Sequence, residues 1–97
     1  MGFNEKVYDL LKKIPKGKLS TYKILAEKLN TKAYRAVGNV LNKNTNAPYV
    51  PCHRIINSNG FIGGYSKGVK KKVELLRKEG VEVKNNKIDL KRYLFRF

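Results

Sequence analysis

The chain has 97 residues, and its 22 Lys and Arg against seven Asp and Glu give a formal net charge of +15. This length predicts a single small domain over residues 1–97, and the charge favours a polyanionic partner, nucleic acid first and an anionic membrane surface second. A lone cysteine excludes an internal disulfide, and no apolar stretch reaches the ~20 residues of a membrane span, so we expect a cytoplasmic or nucleoid-associated protein.

Apolar residues at helical spacing predict two helices at the start of the chain. The first begins near Phe3 and ends at the breaker sequence Pro15-Lys16-Gly17. Ser20 or Thr21 is suited to cap the second helix, whose apolar stripe contains Tyr22. A residue in such a stripe usually belongs to the core, so both a structural and a functional interpretation of Tyr22 stay open.

A third helix is predicted over about residues 32–43, with Thr31 as its cap. Two short helices joined by a turn of a few residues are typical of a helix-turn-helix, which inserts its second helix into a groove of the DNA duplex. Small residues on the third helix would let it lie close to its neighbour, while polar ones would face DNA. The small residues are Ala33, Ala36 and Gly38, and the polar ones are Lys32, Arg35, Asn39, Asn42 and Lys43.

The second half of the chain predicts a hairpin, a fourth helix and a packed tail. Ile55-Ile56 and Phe61-Ile62 flank an Asn-Gly turn, a pattern typical of a hairpin. The fourth helix is expected to end at Gly80, and the tail to form a flap on the core. The inward residues of the fourth helix are expected to be Val69, Val73 and Leu76. These elements predict an α+β, mostly helical fold: a winged-helix-like DNA-binding domain with a helix-turn-helix and a small hairpin.

The only cysteine and the only histidine of the chain are neighbours, in the run Pro51-Cys52-His53-Arg54-Ile55-Ile56. A thiol is a nucleophile as its thiolate, and an adjacent imidazole, directly or through a water, is a common way to remove the proton. Lone cysteines are also common inert core residues, so these six residues alone leave both interpretations open. With no second cysteine or histidine, the chain lacks the ligands of a typical zinc site.

This segment resembles the active-site signature of the O6-alkylguanine-DNA alkyltransferases, also called methylated-DNA–protein-cysteine methyltransferases. The resemblance covers roughly residues 3 to 80 and identifies the chain with the C-terminal, active-site domain of that family, the family's N-terminal domain being absent. The matching segments, in order, are residues 14–22, 35–38, 50–56, 60–66 and 75–80.

The resemblance implies a single-turnover DNA repair reaction. A damaged guanine is rotated out of the duplex, and its O6-alkyl group moves irreversibly to Cys52. His53 would take the thiol proton through a water, and Glu79 would orient and charge-compensate the imidazole. The implied partner is double-stranded DNA containing O6-alkylguanine, bound by a monomer with no cofactor and no metal.

Further roles follow from the same resemblance. Tyr65 would donate to the guanine oxygen as it leaves, with Lys72 favouring its acidity, and the carbonyls of Cys52 and Ile55 would read the exocyclic amine. Tyr22 would drive rotation of the nucleotide, and Arg35 would fill the vacated place in the stack, although a solvated side chain is the alternative for Arg35. The other implied DNA contacts are Thr21, Lys32, Ala36, Asn39 and Ser66, and the implied supports of the active site are Asn44, Pro51, Arg54 and Ile55.

Two other functional classes stay open. The alkyltransferase-like proteins, a related group, bind the same lesions without transfer, and their cysteine is usually replaced by tryptophan, which argues for transfer where Cys52 is intact. A sequence-specific regulator would use the helix-turn-helix but leave Cys52 and His53 without a role.

Overall fold

A computed structural model describes residues 2–44, 49–65 and 67–97 of the chain. The predicted α+β, mostly helical class is confirmed, since five helices accompany a two-stranded sheet in this part of the chain. None of the helices described there has the length and apolar character needed to cross a bilayer. The elements are α1 (Phe3–Lys13), β1 (Ser20–Thr21), α2 (Tyr22–Lys28), α3 (Tyr34–Asn42), a 3₁₀ turn over Cys52–Arg54 called here the cysteine turn, β2 (Ile55–Ile56), α4 (Val69–Lys78) and α5 (Leu90–Tyr93).

The start of the chain folds largely as its pattern predicts. Helix α1 buries Val7 and Leu11 on one face and ends before the predicted breaker. The side chain of Thr21 accepts a hydrogen bond from the backbone N–H of Ile24 at 3.1 Å, so Thr21 is the cap of α2. A cap of this kind contributes about 1 kcal/mol to helix stability, and here it also fixes where Tyr22 begins the helix.

Helix α3 is shorter than predicted and differs at its start. Its first residue follows Ala33, which makes no side-chain cap, and Thr31 instead accepts from the N–H of Ala33 at 3.0 Å, closing a turn ahead of the helix. Ala33 is exposed, and the space where a Cβ of Gly38 would stand is open to at least 4 Å. The predicted close packing at these two residues is therefore wrong, because larger side chains make the contact. Those buried side chains are Val37, Val40 and Leu41.

The sheet joins two distant parts of the chain. Strands β1 and β2 run parallel, with Ser20 opposite Ile55. The predicted turn is present, since the N–H of Asn57 donates to the carbonyl of Phe61 at 2.9 Å, but Phe61 pairs with Lys87 of the tail. The predicted pairing of the two apolar runs with each other is therefore wrong, because Ile55-Ile56 pairs with β1 and Phe61 pairs with the tail. The parallel pair places the start of α2 beside the end of the cysteine turn.

The tail packs on the core, as predicted. Leu19 donates to the carbonyl of Tyr93 at 3.0 Å and accepts from the N–H of Phe95 at 2.7 Å, so the tail lies along the segment that leads into β1. The short helix α5 was not predicted, although Asp89 caps it by accepting from the N–H of Lys91 at 3.1 Å.

Helix α4 buries one unexpected side chain. Leu76 is buried and Val73 half-buried, as predicted, but Val69 is exposed, so its predicted inward position is wrong. The position one turn before Leu76 is Lys72, whose side chain is fully buried. Gly80, with φ of 88°, follows α4 in a conformation that favours glycine, which confirms the predicted end of the helix.

Candidate active site and nucleic-acid interface

Cys52 opens the cysteine turn and is almost completely buried. The side-chain amide of Asn44, just beyond the end of α3, donates to the carbonyl of Val50 at 2.7 Å and to the sulfur of Cys52 at 3.3 Å. A donor directed at sulfur stabilises negative charge there. Asn44 thus fastens the segment that enters the turn, together with the buried Pro51, to the end of α3.

His53 is fully buried, and its Nε2 lies 2.9 Å from Oε2 of Glu79. Burial lowers the pKa of His53 below its ordinary value of 6.5, and the hydrogen bond with Glu79 only partly opposes this, so the ring is neutral at pH 7. A neutral ring that donates its Nε2 proton to the carboxylate keeps Nδ1 as an acceptor. Nδ1 is buried and has no hydrogen-bond partner among the described residues, so it is the nitrogen able to take a proton.

Arg54 locks the carboxylate that holds the histidine. Its Nε and Nη2 donate to the two oxygens of Glu79 at 2.9 and 2.7 Å, and its Nη1 donates to the carbonyl of Ile14 at 2.8 Å. Burial would raise the pKa of Glu79, but the hydrogen bonds from Arg54 and His53 outweigh it and leave the pKa lowered. Glu79 therefore stays ionised, and the end of α4 is tied to the cysteine turn.

Tyr65 lies beside both residues of the Cys52–His53 pair. Its ring meets that of His53 edge to face, with centroids 6.4 Å apart. The buried hydroxyl makes no hydrogen bond within the described residues. Burial, and after it the charge that Cys52 carries when ionised, raises the pKa of Tyr65 to about 12. The phenol therefore keeps its proton at neutral pH and can act as a donor.

Lys72 fastens the backbone that leads to Tyr65. Its Nζ donates to the carbonyls of Ile55, Ile62 and Gly64 at 2.7, 2.5 and 3.0 Å. Burial lowers the pKa of Lys72 to about 8, against the charge of Cys52, which raises it.

Two predictions concern this part of the site. The ammonium of Lys72 binds three carbonyls, and its predicted effect on the acidity of Tyr65 stays a prediction. The carbonyl of Ile55 already accepts from Lys72, and that of Cys52 accepts from the N–H of Ile55. A carbonyl oxygen can accept two hydrogen bonds, and the predicted reading of the exocyclic amine by these two carbonyls stays a prediction.

A groove of about 720 Å³ lies next to this cluster and is called here the α3 groove. Tyr22 belongs to both regions, because burial and then the charge of Cys52 raise its pKa while its side chain lines the groove. Arg35 lines the groove from an exposed position on α3. The lining residues are Tyr22, Lys23, Tyr34, Arg35, Gly38, Asn42, Asn57, Ser58, Asn59 and Gly64.

The other predicted DNA contacts are distributed differently. Lys32 and Asn39 are exposed but do not line the α3 groove, and Ala36 is half-buried. Thr21 is buried, and its hydroxyl is used in capping α2, so its side chain does not face the groove. The predicted contribution of Ser66 lies outside the described residues.

Sequence reasoning missed the 57–59 turn and Tyr34 as parts of the groove. The signal for Tyr34 was its position directly before Arg35, at the start of α3. The described residues contain no cluster of three or more His, Cys, Asp or Glu that could hold a metal ion.

Comparisons with known proteins agree on one family. The family model described as the DNA binding domain of 6-O-methylguanine DNA methyltransferase matches residues 2–81. A bifunctional methyltransferase/endonuclease of Picrophilus torridus is 46% identical over 90 residues, which are 92% of this chain and 30% of that protein. A methylated-DNA–protein-cysteine methyltransferase of Saccharolobus solfataricus is 51% identical over 81 residues, which are 84% of this chain and 52% of that protein. The chain thus spans between 30% and 52% of the length of these curated relatives.

A solved structure matches over nearly its whole length. The crystal structure of S. pombe Atl1 in complex with damaged DNA containing O6-carboxymethylguanine aligns with a TM-score of 0.87 at 34% identity. The alignment covers 98% of this chain and 95% of the Atl1 chain.

Proposed function

Because this chain belongs to the 6-O-methylguanine DNA methyltransferase family, we propose that it binds duplex DNA containing O6-alkylguanine and transfers the alkyl group irreversibly to Cys52. The proposal rests on the groups that surround the sulfur of Cys52. Asn44 donates to it at 3.3 Å, and the adjacent His53 is neutral, with one ring nitrogen held by Glu79 and the other able to accept a proton.

The transfer is a displacement at the alkyl carbon. The Cys52 thiolate forms a carbon–sulfur bond while the bond between that carbon and guanine O6 breaks, and the electron pair stays on O6. The thiol proton passes to Nδ1 of His53 through a water. His53 returns this proton to solvent, and the guanine anion that leaves takes up one proton from solvent, so atoms and charge balance. Tyr65, whose pKa of about 12 keeps it protonated, donates a hydrogen bond to O6 as negative charge develops there.

DNA must deliver the base to a buried sulfur. Because Cys52 is almost completely buried, a guanine that stays stacked in the duplex cannot bring its alkyl group to the sulfur. The nucleotide is therefore rotated out of the stack at a cost of a few kcal/mol. Tyr22, which lines the α3 groove and senses the charge of Cys52, supports the rotation. Arg35, exposed on the same groove, takes the vacated place, since a guanidinium stacks well on bases. The net charge of +15 supplies affinity for phosphates.

The proposed unit corresponds to the C-terminal, active-site domain of the family, acting as a monomer in the cytoplasm or on the nucleoid. Its support is that the family model, which matches residues 2–81, spans both the α3 groove and Cys52.

Intact-mass measurement after incubation with a duplex containing O6-methylguanine tests the proposal. We expect a gain of one methyl group on Cys52, at most once per chain, and no gain with undamaged duplex. The Cys52→Ser variant should bind the lesion duplex and show no mass change. A wild-type protein that binds and stays unmodified contradicts the proposal.

The second candidate is a lesion-binding protein without transfer activity. It is favoured by the match to S. pombe Atl1 over 98% of this chain. The intact Cys52, with the amide of Asn44 directed at its sulfur, favours transfer. The same mass measurement separates the two, because a sensor binds the lesion duplex tightly and keeps its mass.

A further inference from the structure

Tyr34 is a large aromatic side chain that the fold leaves outside its core. It is the first residue of α3, directly before Arg35, and 47% of its surface is exposed. Four aromatic residues of the described chain are more than a third exposed, and Tyr34 alone among them lines the α3 groove. The other three are Phe3, Tyr49 and Phe61.

The ring of Tyr34 stands between two depressions. On one side is the α3 groove, and on the other is a hollow of about 410 Å³, called here the side hollow, which Tyr34 also lines. Its backbone is fixed, because its N–H donates to the carbonyl of Lys32 at 2.9 Å in the turn before α3. Tyr34 therefore stands where the two depressions meet, at the start of α3. The other residues of the side hollow are Glu27, Asn30, Thr31 and Lys32.

The α3 groove is lined both by residues next to the thiol site and by the start of α3. Gly64, which precedes Tyr65, and Tyr22 line it, and so do Tyr34 and Arg35. A guanine that rotates toward Cys52 leaves its partner base unpaired in the complementary strand, next to the gap in the stack that Arg35 is proposed to fill.

The geometry points to Tyr34 as a second DNA-stacking residue, whose ring packs on the unpaired base of the complementary strand while Arg35 fills the gap left by the guanine. This inference rests on the proposed function for the rotated guanine. An aromatic face accepts any base, so the contact stabilises the opened duplex whatever base stood opposite the lesion. Two residues that are adjacent in sequence would then act after one rotation: the ring of Tyr34 on the unpaired base, and the guanidinium of Arg35 in the gap left by the guanine.

Binding assays with two variants test the stacking. We expect Tyr34→Ala to lower the affinity for a duplex carrying O6-methylguanine by about tenfold, as expected for loss of one base–aromatic contact. Tyr34→Phe, which keeps the ring, should restore most of the affinity. With an abasic site opposite the lesion, wild type and Tyr34→Ala should bind alike, because no base is left to stack on. An equal loss in Tyr34→Phe, or a loss that persists opposite the abasic site, would overturn the inference.

The sequence contains no tryptophan, so a single introduced indole reports on its own surroundings. Emission of Tyr34→Trp should be quenched by the lesion duplex, and less by the duplex with the abasic site. The matched control is Phe3→Trp on α1, at a ring that is 37% exposed and does not line the groove, and its emission should not change. The intact mass of the protein is measured in the same samples to detect methylation of Cys52. If Cys52 is methylated but the emission of Tyr34→Trp is not quenched, only the stacking inference is contradicted. An unmodified Cys52 contradicts the proposed transfer.

Discussion

Nε2 of His53 lies 2.9 Å from the carboxylate of Glu79, which is 26 positions further along the chain. Arg54, the next residue after His53, binds both oxygens of the same carboxylate. The cysteine turn is therefore tied to the end of α4 by two consecutive side chains, one neutral and one charged. Because Glu79 takes the Nε2 proton, the orientation and the tautomer of the imidazole are set by one contact.

Replacing Glu79 by Gln should destabilise the fold by about 3 kcal/mol at pH 7, because Arg54 loses a buried charged partner. The pH dependence has a definite sign. The pKa of Glu79 lies below its ordinary 4.5 and that of His53 below 6.5. The unfolded chain therefore binds more protons at both residues as the pH falls, and stability is lost below pH 6.5 for His53 and below 4.5 for Glu79. Thermal melts from pH 7 to pH 3.5 measure this loss. Below pH 4.5, the melting temperature of Glu79→Gln should fall less steeply with pH than that of the wild type.

The matched control for this prediction is Glu74→Gln on the same helix. Glu74 is 53% exposed and lies 4.0 Å from Lys71, so it contributes little. Its melts should follow those of the wild type across the whole range. If Glu79→Gln also follows the wild type, the contact with His53 does not stabilise the native state.

Lys72→Met should lower the melting temperature by about 10 °C, which corresponds to about 2 kcal/mol for a domain of this size. The reason is that the carbonyls of Ile55, Ile62 and Gly64 lose their shared donor in a buried place. Lys71→Met, at a neighbour that is 51% exposed, should melt like the wild type. Equal melting temperatures for the two variants would show that the carbonyl clamp is not needed for stability.

The pKa of Lys72 gives a second prediction with the opposite pH range. Its folded value of about 8 lies below the ordinary 10.5, so between these values the unfolded chain carries more protons at this residue. The wild type should therefore gain stability relative to Lys72→Met as the pH rises from 8 to 10.5. Denaturant unfolding of both proteins at several pH values measures the difference, and a constant difference would contradict the lowered pKa.

The sequence allowed correct prediction where local rules decide. Thr21 caps α2 because a hydroxyl at that position can reach the N–H of Ile24, and Gly80 ends α4 because its φ of 88° suits glycine. The strand pairing failed because partners distant in sequence competed for it. Neither the parallel register of β1 and β2 nor the pairing of Phe61 with Lys87 leaves a local pattern.

The site, like the fold, was predictable from local sequence but not where distant contacts decide. The adjacency of Cys52 and His53 was visible in the sequence. The burial of Lys72 was not, because a lysine in a helical pattern is predicted to face solvent. Its burial depends on three carbonyls brought together by the folded segment 55–64. The periodicity of side chains cannot predict such acceptors, because every residue has a backbone carbonyl.

Asn44→Ala should slow methyl transfer and lower stability by about 1 to 2 kcal/mol, because the buried carbonyl of Val50 loses its donor. Asn44→Asp should slow transfer more strongly, since a carboxylate beside the sulfur of Cys52 disfavours a thiolate. Single-turnover rates followed by mass spectrometry measure both effects. Asn4→Ala, at an exposed residue of α1, serves as the control and should react like the wild type. A faster reaction of Asn44→Asp would rule out stabilisation of negative charge on the sulfur.

Arg35→Ala should separate opening of the duplex from chemistry. Transfer from duplex O6-methylguanine should fall by about ten- to a hundredfold, because the extruded state loses the side chain that fills the stack, a contact of roughly 1 to 3 kcal/mol. Transfer from the free base O6-methylguanine, which needs no rotation, should stay within about twofold. Arg96→Ala removes the same charge at an exposed residue outside the α3 groove, so it controls for the loss of one phosphate-attracting cation. Equal losses on the duplex and on the free base would mean that Arg35 acts in the transfer step itself. Equal losses in Arg35→Ala and Arg96→Ala would mean that Arg35 contributes only its positive charge.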